Sequence, residues 1–176
     1  MPSGRTHDAI TVLLAVPTFA AAWGATNSVA LAATATGAML FGGLMFGPDL
    51  DILSRQYTRW GPFRLLWWPY RVLFRHRSRW SHGIIFGTLI RVIYFALMLT
   101  LFACVAIYLH AAFVASTPAD YGAVIRAWRA IEAGALMQGR VLRFVFAALA
   151  GLWWGAASHT LTDVAWSVLR KGSQIF

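Results

Sequence analysis

The chain has 176 residues, of which 59% are hydrophobic and only 12% charged, a balance outside that of ordinary water-soluble domains. Its formal charge of +9, nine tryptophans and twelve phenylalanines suit basic and aromatic side chains that meet lipid headgroups at two interfaces, and the flanking apolar stretches argue against a nucleic-acid partner. The single Cys104 excludes an intrachain disulfide and zinc-finger spacing.

Four apolar stretches predict an all-α, polytopic membrane protein with about four transmembrane helices plus interfacial amphipathic helices, as a single membrane domain over residues 1–176. The first span, residues 9–23, contains Pro17 and is expected to kink there. Arg5 before it and Ala20, Ala21 and Ala22 within it resemble a secretory signal. We expect the segment to be retained, because His7 joins a polar constellation described below. Asn27 and Ser28 predict a tight turn into the second span, residues 29–46, and Gly37, Gly42, Gly43 and Gly47 give that region a small-residue face for close packing. Residues 48–81 form a basic, aromatic loop, cut by Pro62 and Pro69 into short pieces expected in the interface plane. In its Gly47-Pro48-Asp49-Leu50-Asp51 segment, an extended backbone points Asp49 and Asp51 to one side. Ser81 is expected to cap the third span, residues 83–109, with His82 in its first turn. Arg126, Trp128 and Arg129 predict an interfacial helix between Pro118 and Gln138, ahead of the fourth span, residues 141–159.

With four spans, one side of the membrane carries Arg5, the seven loop arginines, Arg170 and Lys171, ten basic residues against Arg126, Arg129, Arg140 and Arg143 on the other. The positive-inside rule then places both termini in the cytoplasm. Arg91, near the start of the third span, is expected to snorkel to the same face.

The chain has only five histidines and six acidic residues, and the same parity gathers eight of them, with His110 outside the pattern at the far end of the third span. His7 and Asp8 precede the first span, Asp49 and Asp51 follow the second, His76 and His82 precede the third, and His159 and Asp163 close the fourth. All fall on one face. Two carboxylates at a helix C-terminus meet the negative end of its dipole, and a bound cation offsets that repulsion. His159 and Asp163, four apart, share a helix face. The competing reading for this pair is a hydrogen-bonded structural contact, but ionisable groups at membrane depth are costly and tend to be functional. Arg75, Arg77 and Arg79 read as an anion or lipid-headgroup patch. A donor set of imidazole and carboxylate without thiolate suits a divalent metal, zinc or manganese ahead of magnesium, and it exceeds what one tetrahedral ion needs, leaving room for two.

Residues 2–8 (Pro-Ser-Gly-Arg-Thr-His-Asp), the run from Phe41 to Asp51, Ser54-Arg55-Gln56-Tyr57, His76-Arg77-Ser78, Ser81-His82-Gly83, and His159 with Asp163 carry a family likeness. By these motifs the chain resembles the uncharacterised membrane metal-binding protein family common in cyanobacteria, and more distantly the YdjM-like inner-membrane metal-dependent hydrolases. The resemblance implies a helical protein of an inner or thylakoid-type membrane with a metal site at His7, Asp49, Asp51, His82, His159 and Asp163. Trp80 stands where the wider family often has threonine, which weakens transfer of substrate preference.

The functional expectation is a membrane-embedded metal-dependent hydrolase acting on an amphiphilic phosphate or ester at the cytoplasmic face, with Asp51 and His76 as the catalytic candidates. Its expected partners are membrane lipids, a lipid-like substrate and other membrane proteins. The alternative is a non-catalytic accessory subunit of a membrane complex, in which the metal or a polar cluster staples the helix ends together.

Overall fold

The computed structural model describes residues 2–74, 76, 78–115, 118–137 and 139–172, and among them it is helical, with no strand. Among the described residues, four stretches are long and apolar enough to cross a membrane: Gly4–Thr26, Val29–Asp51, Phe86–Val114 and Gly139–Arg170. The chain divides into two compact units, one made of Met1–Arg91 with Phe144–Phe176 and the other of Val92–Arg143.

In the first unit, α1 (Gly4–Leu13) starts on Ser3, whose hydroxyl accepts from the Thr6 amide, and α2 (Ala15–Thr26) follows after a break at Leu14. Pro17 accounts for the break: it has no amide hydrogen to give the Leu13 carbonyl and its ring crowds that oxygen. The helix begins earlier than the apolar stretch suggested, so His7 and Asp8 are helical residues and not a prelude to the span. Asn27, at a left-handed φ of 50°, ends α2. Ser28 caps α3 (Val29–Leu44) by accepting from the Leu31 amide, which makes the expected hairpin.

The basic loop is more folded than a set of pieces lying flat at an interface. It contains a 3-10 turn (Pro48–Asp51), α4 (Arg55–Thr58), a second 3-10 stretch (Gly61–Trp67), α5 (Trp68–Leu73) and α6 (Arg79–His82). Pro48, Pro62 and Pro69 each stand in the first two positions of their helix, where a missing amide hydrogen costs nothing. Trp67 and Tyr70 are wholly buried and meet edge to face, and Trp67 also packs on Phe46 and Trp60. Part of the aromatic content therefore makes a small core.

Ser81 does not cap the third long helix. It lies inside α6, whose amide hydrogens are received by Ser78, and α7 (Phe86–His110) begins only after an intervening turn. Arg91 does not snorkel either. It is 2% exposed and donates to the Ser81 carbonyl at 2.7 Å and to the Thr88 hydroxyl at 3.1 Å.

In the second unit, a π-helical turn (Ala111–Ala115) extends α7, and α8 (Gly122–Met137) is the expected helix carrying Arg126, Trp128 and Arg129. The Trp128 indole donates to Thr100 on α7, and Arg126 pairs with Asp120, holding that carboxyl below the usual carboxylate range.

The last helix, α9 (Gly139–Gly172), runs well beyond residue 159, so His159 and Asp163 lie in its body and not at its close. Gly151, Gly155, His159 and Asp163 recur every four residues and so form one face. A Cβ at Gly151 or Gly155 would collide with the carbonyls of Ala35 or Met39 on α3, and one at Gly42 with that of Leu152. The backbones of α3 and α9 thus meet with no side chain between them, and this contact aims His159 at the end of α3. Gly37 has nothing within reach. We predict that Gly155→Ala lowers the thermal midpoint in detergent, at a cost of about 1–3 kcal/mol from overpacking, while Gly37→Ala leaves it unchanged or raises it. Equal midpoints for Gly155→Ala and wild type would contradict the close contact.

Candidate metal centre

Four separated stretches of the first unit bring their histidines and aspartates together. One group comprises His7 from α1 with His159 and Asp163 from α9, and a second comprises Asp49, His76 and His82. In each, one potential ligand atom per residue lies within 4.8 Å of the others. The His7 and His159 rings stack with centroids 3.8 Å apart, and His7 Nε2 lies 3.3 Å from Asp163 Oδ1.

Asp49 joins the two groups. Its Oδ2 lies 3.3 Å from His159 Nε2 and its Oδ1 lies 3.4 Å from His82 Nε2. The neighbouring Asp51, with a fully buried side chain, accepts from or pairs with His76 Nδ1 at 2.9 Å and approaches His82 Nδ1 at 3.6 Å. The backbone carrying both aspartates is a 3-10 turn and not the extended segment expected from their spacing, yet both carboxylates still reach His82.

His7 Nδ1, Asp51 Oδ2, His82 Nε2, His159 Nε2 and Asp163 Oδ1 are buried with no hydrogen-bond partner. The separations of 3.3 to 3.6 Å are within ion-pair range but do not satisfy hydrogen-bond geometry. Buried polar atoms are costly unless something receives them, so five on one small cluster fit a ligand set for a cation. Nitrogen and carboxylate oxygen donors without sulfur fit a divalent ion of borderline or hard character.

A family model described as "Uncharacterized metal-binding protein (DUF2227)" matches residues 2–172. The chain belongs to this metal-binding family. The match spans all the histidines and aspartates of the two groups. No curated protein and no solved structure was found to match the chain.

Of the residues singled out by sequence, His7, Asp49, Asp51, His76, His82, His159 and Asp163 come together. Asp8 does not join them: it receives Arg55 and both terminal nitrogens of Arg59. Arg75 and Arg77, expected to bind anions, lie outside the described residues, as does the side chain of Arg79.

The supporting roles of two residues, Gln56 and Arg91, were not legible in the sequence. The buried Gln56 accepts from the Asp49 amide at 3.2 Å, donates to the Gly43 carbonyl at 2.6 Å, and approaches His159 Nδ1 at 3.3 Å. One amide therefore ties the Asp49 backbone, the end of α3 and the His159 ring. Gly47 leaves it room, since a Cβ there would strike the Gln56 amide group. Arg91 holds the Ser81 carbonyl next to His82, and Gly87 allows that approach because a Cβ would lie 2.7 Å from the same oxygen. The available signals were Gln56 inside a serine-capped motif, and Arg91 as a lone charge in an apolar span.

We predict that Gln56→Leu, which strands the Asp49 amide and the Gly43 carbonyl, destabilises the fold by about 1–3 kcal/mol per stranded group. It also weakens metal binding by roughly 10–100-fold. Thermal unfolding and competitive titration against a chromogenic chelator measure the two effects; a variant equal to wild type in both would show that Gln56 supports nothing.

Proposed function

We propose that this chain is a membrane-embedded metal-dependent hydrolase acting on an amphiphilic phosphate or ester at the cytoplasmic face, its single membrane domain having both termini in the cytoplasm. The observation that carries this reading is the set of five buried donor atoms that lack a hydrogen bond, in two groups joined by Asp49. Membrane insertion is supported by the exposed apolar side chains on the long helices, such as Leu13 at 75% and Val16 at 76% on the first, Leu97 and Phe102 on α7, and Val168 and Leu169 on α9.

In this reading His7, His159 and Asp163 would hold one divalent ion, and Asp49, Asp51 and His82 would hold a second. Zinc or manganese suits these donors better than magnesium, which favours oxygen and retained water. When bound, the ions supply Lewis-acid polarisation of a phosphoryl or carbonyl oxygen. His76 also lies close enough to Asp49 and His82 to serve as a ligand. We assign it instead as general base, because its side chain is 35% exposed while its Nδ1 is engaged by Asp51. Asp51 then orients the imidazole, and His76 Nε2 takes the proton of the attacking water.

Protein purified without chelator is expected to carry about two divalent ions per chain by elemental analysis. Asp49→Ala, which removes the shared carboxylate, is expected to carry fewer than one. Turnover on a panel of phospholipids and polyprenyl phosphates should vanish with chelator and fall by about 100-fold or more in His76→Gln with metal retained. Full metal content with no chelator-sensitive turnover on any substrate would favour the non-catalytic staple. That reading draws on the way the cluster ties α1, the 3-10 turn, α6 and α9 together.

A further inference from the structure

A cavity of about 280 Å³ opens onto His7, Asp49 and His159, and its wall includes Asp8, Ser54, Arg55 and Gln56. Ser54 is occupied in its own turn, donating to the Asp49 carbonyl at 2.7 Å and accepting from the Tyr57 amide. Gln56 is occupied as described above. Arg55 is the cationic side chain in the wall.

Arg55 and Arg59 share Asp8 but are used differently. Arg59 is 30% exposed and spends both terminal nitrogens: one donates to Asp8 Oδ1 and the Leu44 carbonyl, the other to Asp8 Oδ2 at 2.6 Å. Arg55 is 52% exposed and makes one side-chain bond, from a terminal nitrogen to Asp8 Oδ2 at 2.9 Å. A guanidinium has five N–H donors in a planar fork, so most of those on Arg55 stay available. Asp8 and Asp49 also line the cavity, so an anion entering it would need the charge of a bound cation beside that of Arg55. Gly4 keeps the Arg55 stem against α1, because a Cβ there would lie 2.9 Å from the Arg55 Cδ. The cavity therefore joins a braced, under-used guanidinium to the candidate metal ligands.

We propose that Arg55, braced by Asp8 and Arg59, reads the anionic group of the ligand, and that the cavity receives a phosphomonoester-sized anion beside the metal centre. A guanidinium fork matches phosphate oxygens in a bidentate manner, which a point charge does not. The inference rests on the metal reading above. Without cations, the carboxylates of Asp8 and Asp49 in the cavity wall would repel the anion, so its binding requires metal.

The test uses the full chain in lipid nanodiscs, with zinc or manganese stoichiometry measured first and calorimetric titration second. Inorganic phosphate and short-chain phosphatidic acid are the two ligands. Metal-loaded wild type is expected to bind at least one of them, and metal-stripped protein neither. Arg55→Gln should keep the metal stoichiometry and thermal midpoint but bind the anion about tenfold more weakly or worse, with Arg55→Lys between the two. Tighter binding of phosphatidic acid than of phosphate would identify a lipid headgroup as the source of the anion; equal binding would identify the free anion. Either result supports Arg55 as the reader. Arg55→Gln binding as tightly as wild type, or loaded wild type binding neither ligand, overturns the proposal. Absence of bound metal would instead remove the metal reading and this inference with it.

Discussion

Two aspartates on one 3-10 turn, placed where α3 ends, set the constraint on which the rest of the first unit depends. Asp49 and Asp51 are two residues apart, Asp51 is fully buried, and both face histidines from other parts of the chain. Buried like charges repel and lose hydration, and the negative end of the α3 dipole adds to the penalty. The fold meets this with imidazoles from α1, α6, α9 and the segment before α6, and with the buried Arg91 under the Ser81–His82 turn. Even so, buried atoms of five of these residues lack a hydrogen-bond partner. A cation is the economical way to satisfy them together.

The packing that delivers these groups is glycine-dependent. Because α3 and α9 touch through backbone at Gly42, Gly151 and Gly155, the spacing between helices is set by main chain, with no flexible side chain intervening. His159 and Asp163 continue the same face of α9 beyond the contact, so a small change in helix separation alters the distance from His159 to Asp49 directly. Gln56 then fixes what the helices bring near. Its single amide links the 3-10 turn, the end of α3 and the His159 ring. Membership of a metal-binding family agrees with this set of imidazole and carboxylate donors.

Much of the fold could be read from hydropathy, and the convergence of His7, Asp49, Asp51, His82 and the His159–Asp163 pair from span parity, because ionisable residues are so few in this chain that each position carries weight. What could not be read was local. Apolar character marks where a helix suits lipid, not where its hydrogen-bonded ladder stops, so α1 began before residue 9 and α9 continued past residue 159. The Asp49–Asp51 backbone curled into a 3-10 turn because Pro48 starts one readily, and Ser78, not Ser81, became the capping serine before His82. The roles of Gln56 and Arg91 depend on contacts with residues distant in sequence or on burial by neighbouring elements, which a pattern along one chain does not display.

Anomalous-difference density from crystals of metal-loaded protein, collected at the absorption edge of the bound ion, tests the central claim most directly. The account predicts two peaks, one among His7, His159 and Asp163 and one beside Asp51 and His82, with Asp49 between them. No peak at these residues, or a single ion held elsewhere in the chain, would contradict it.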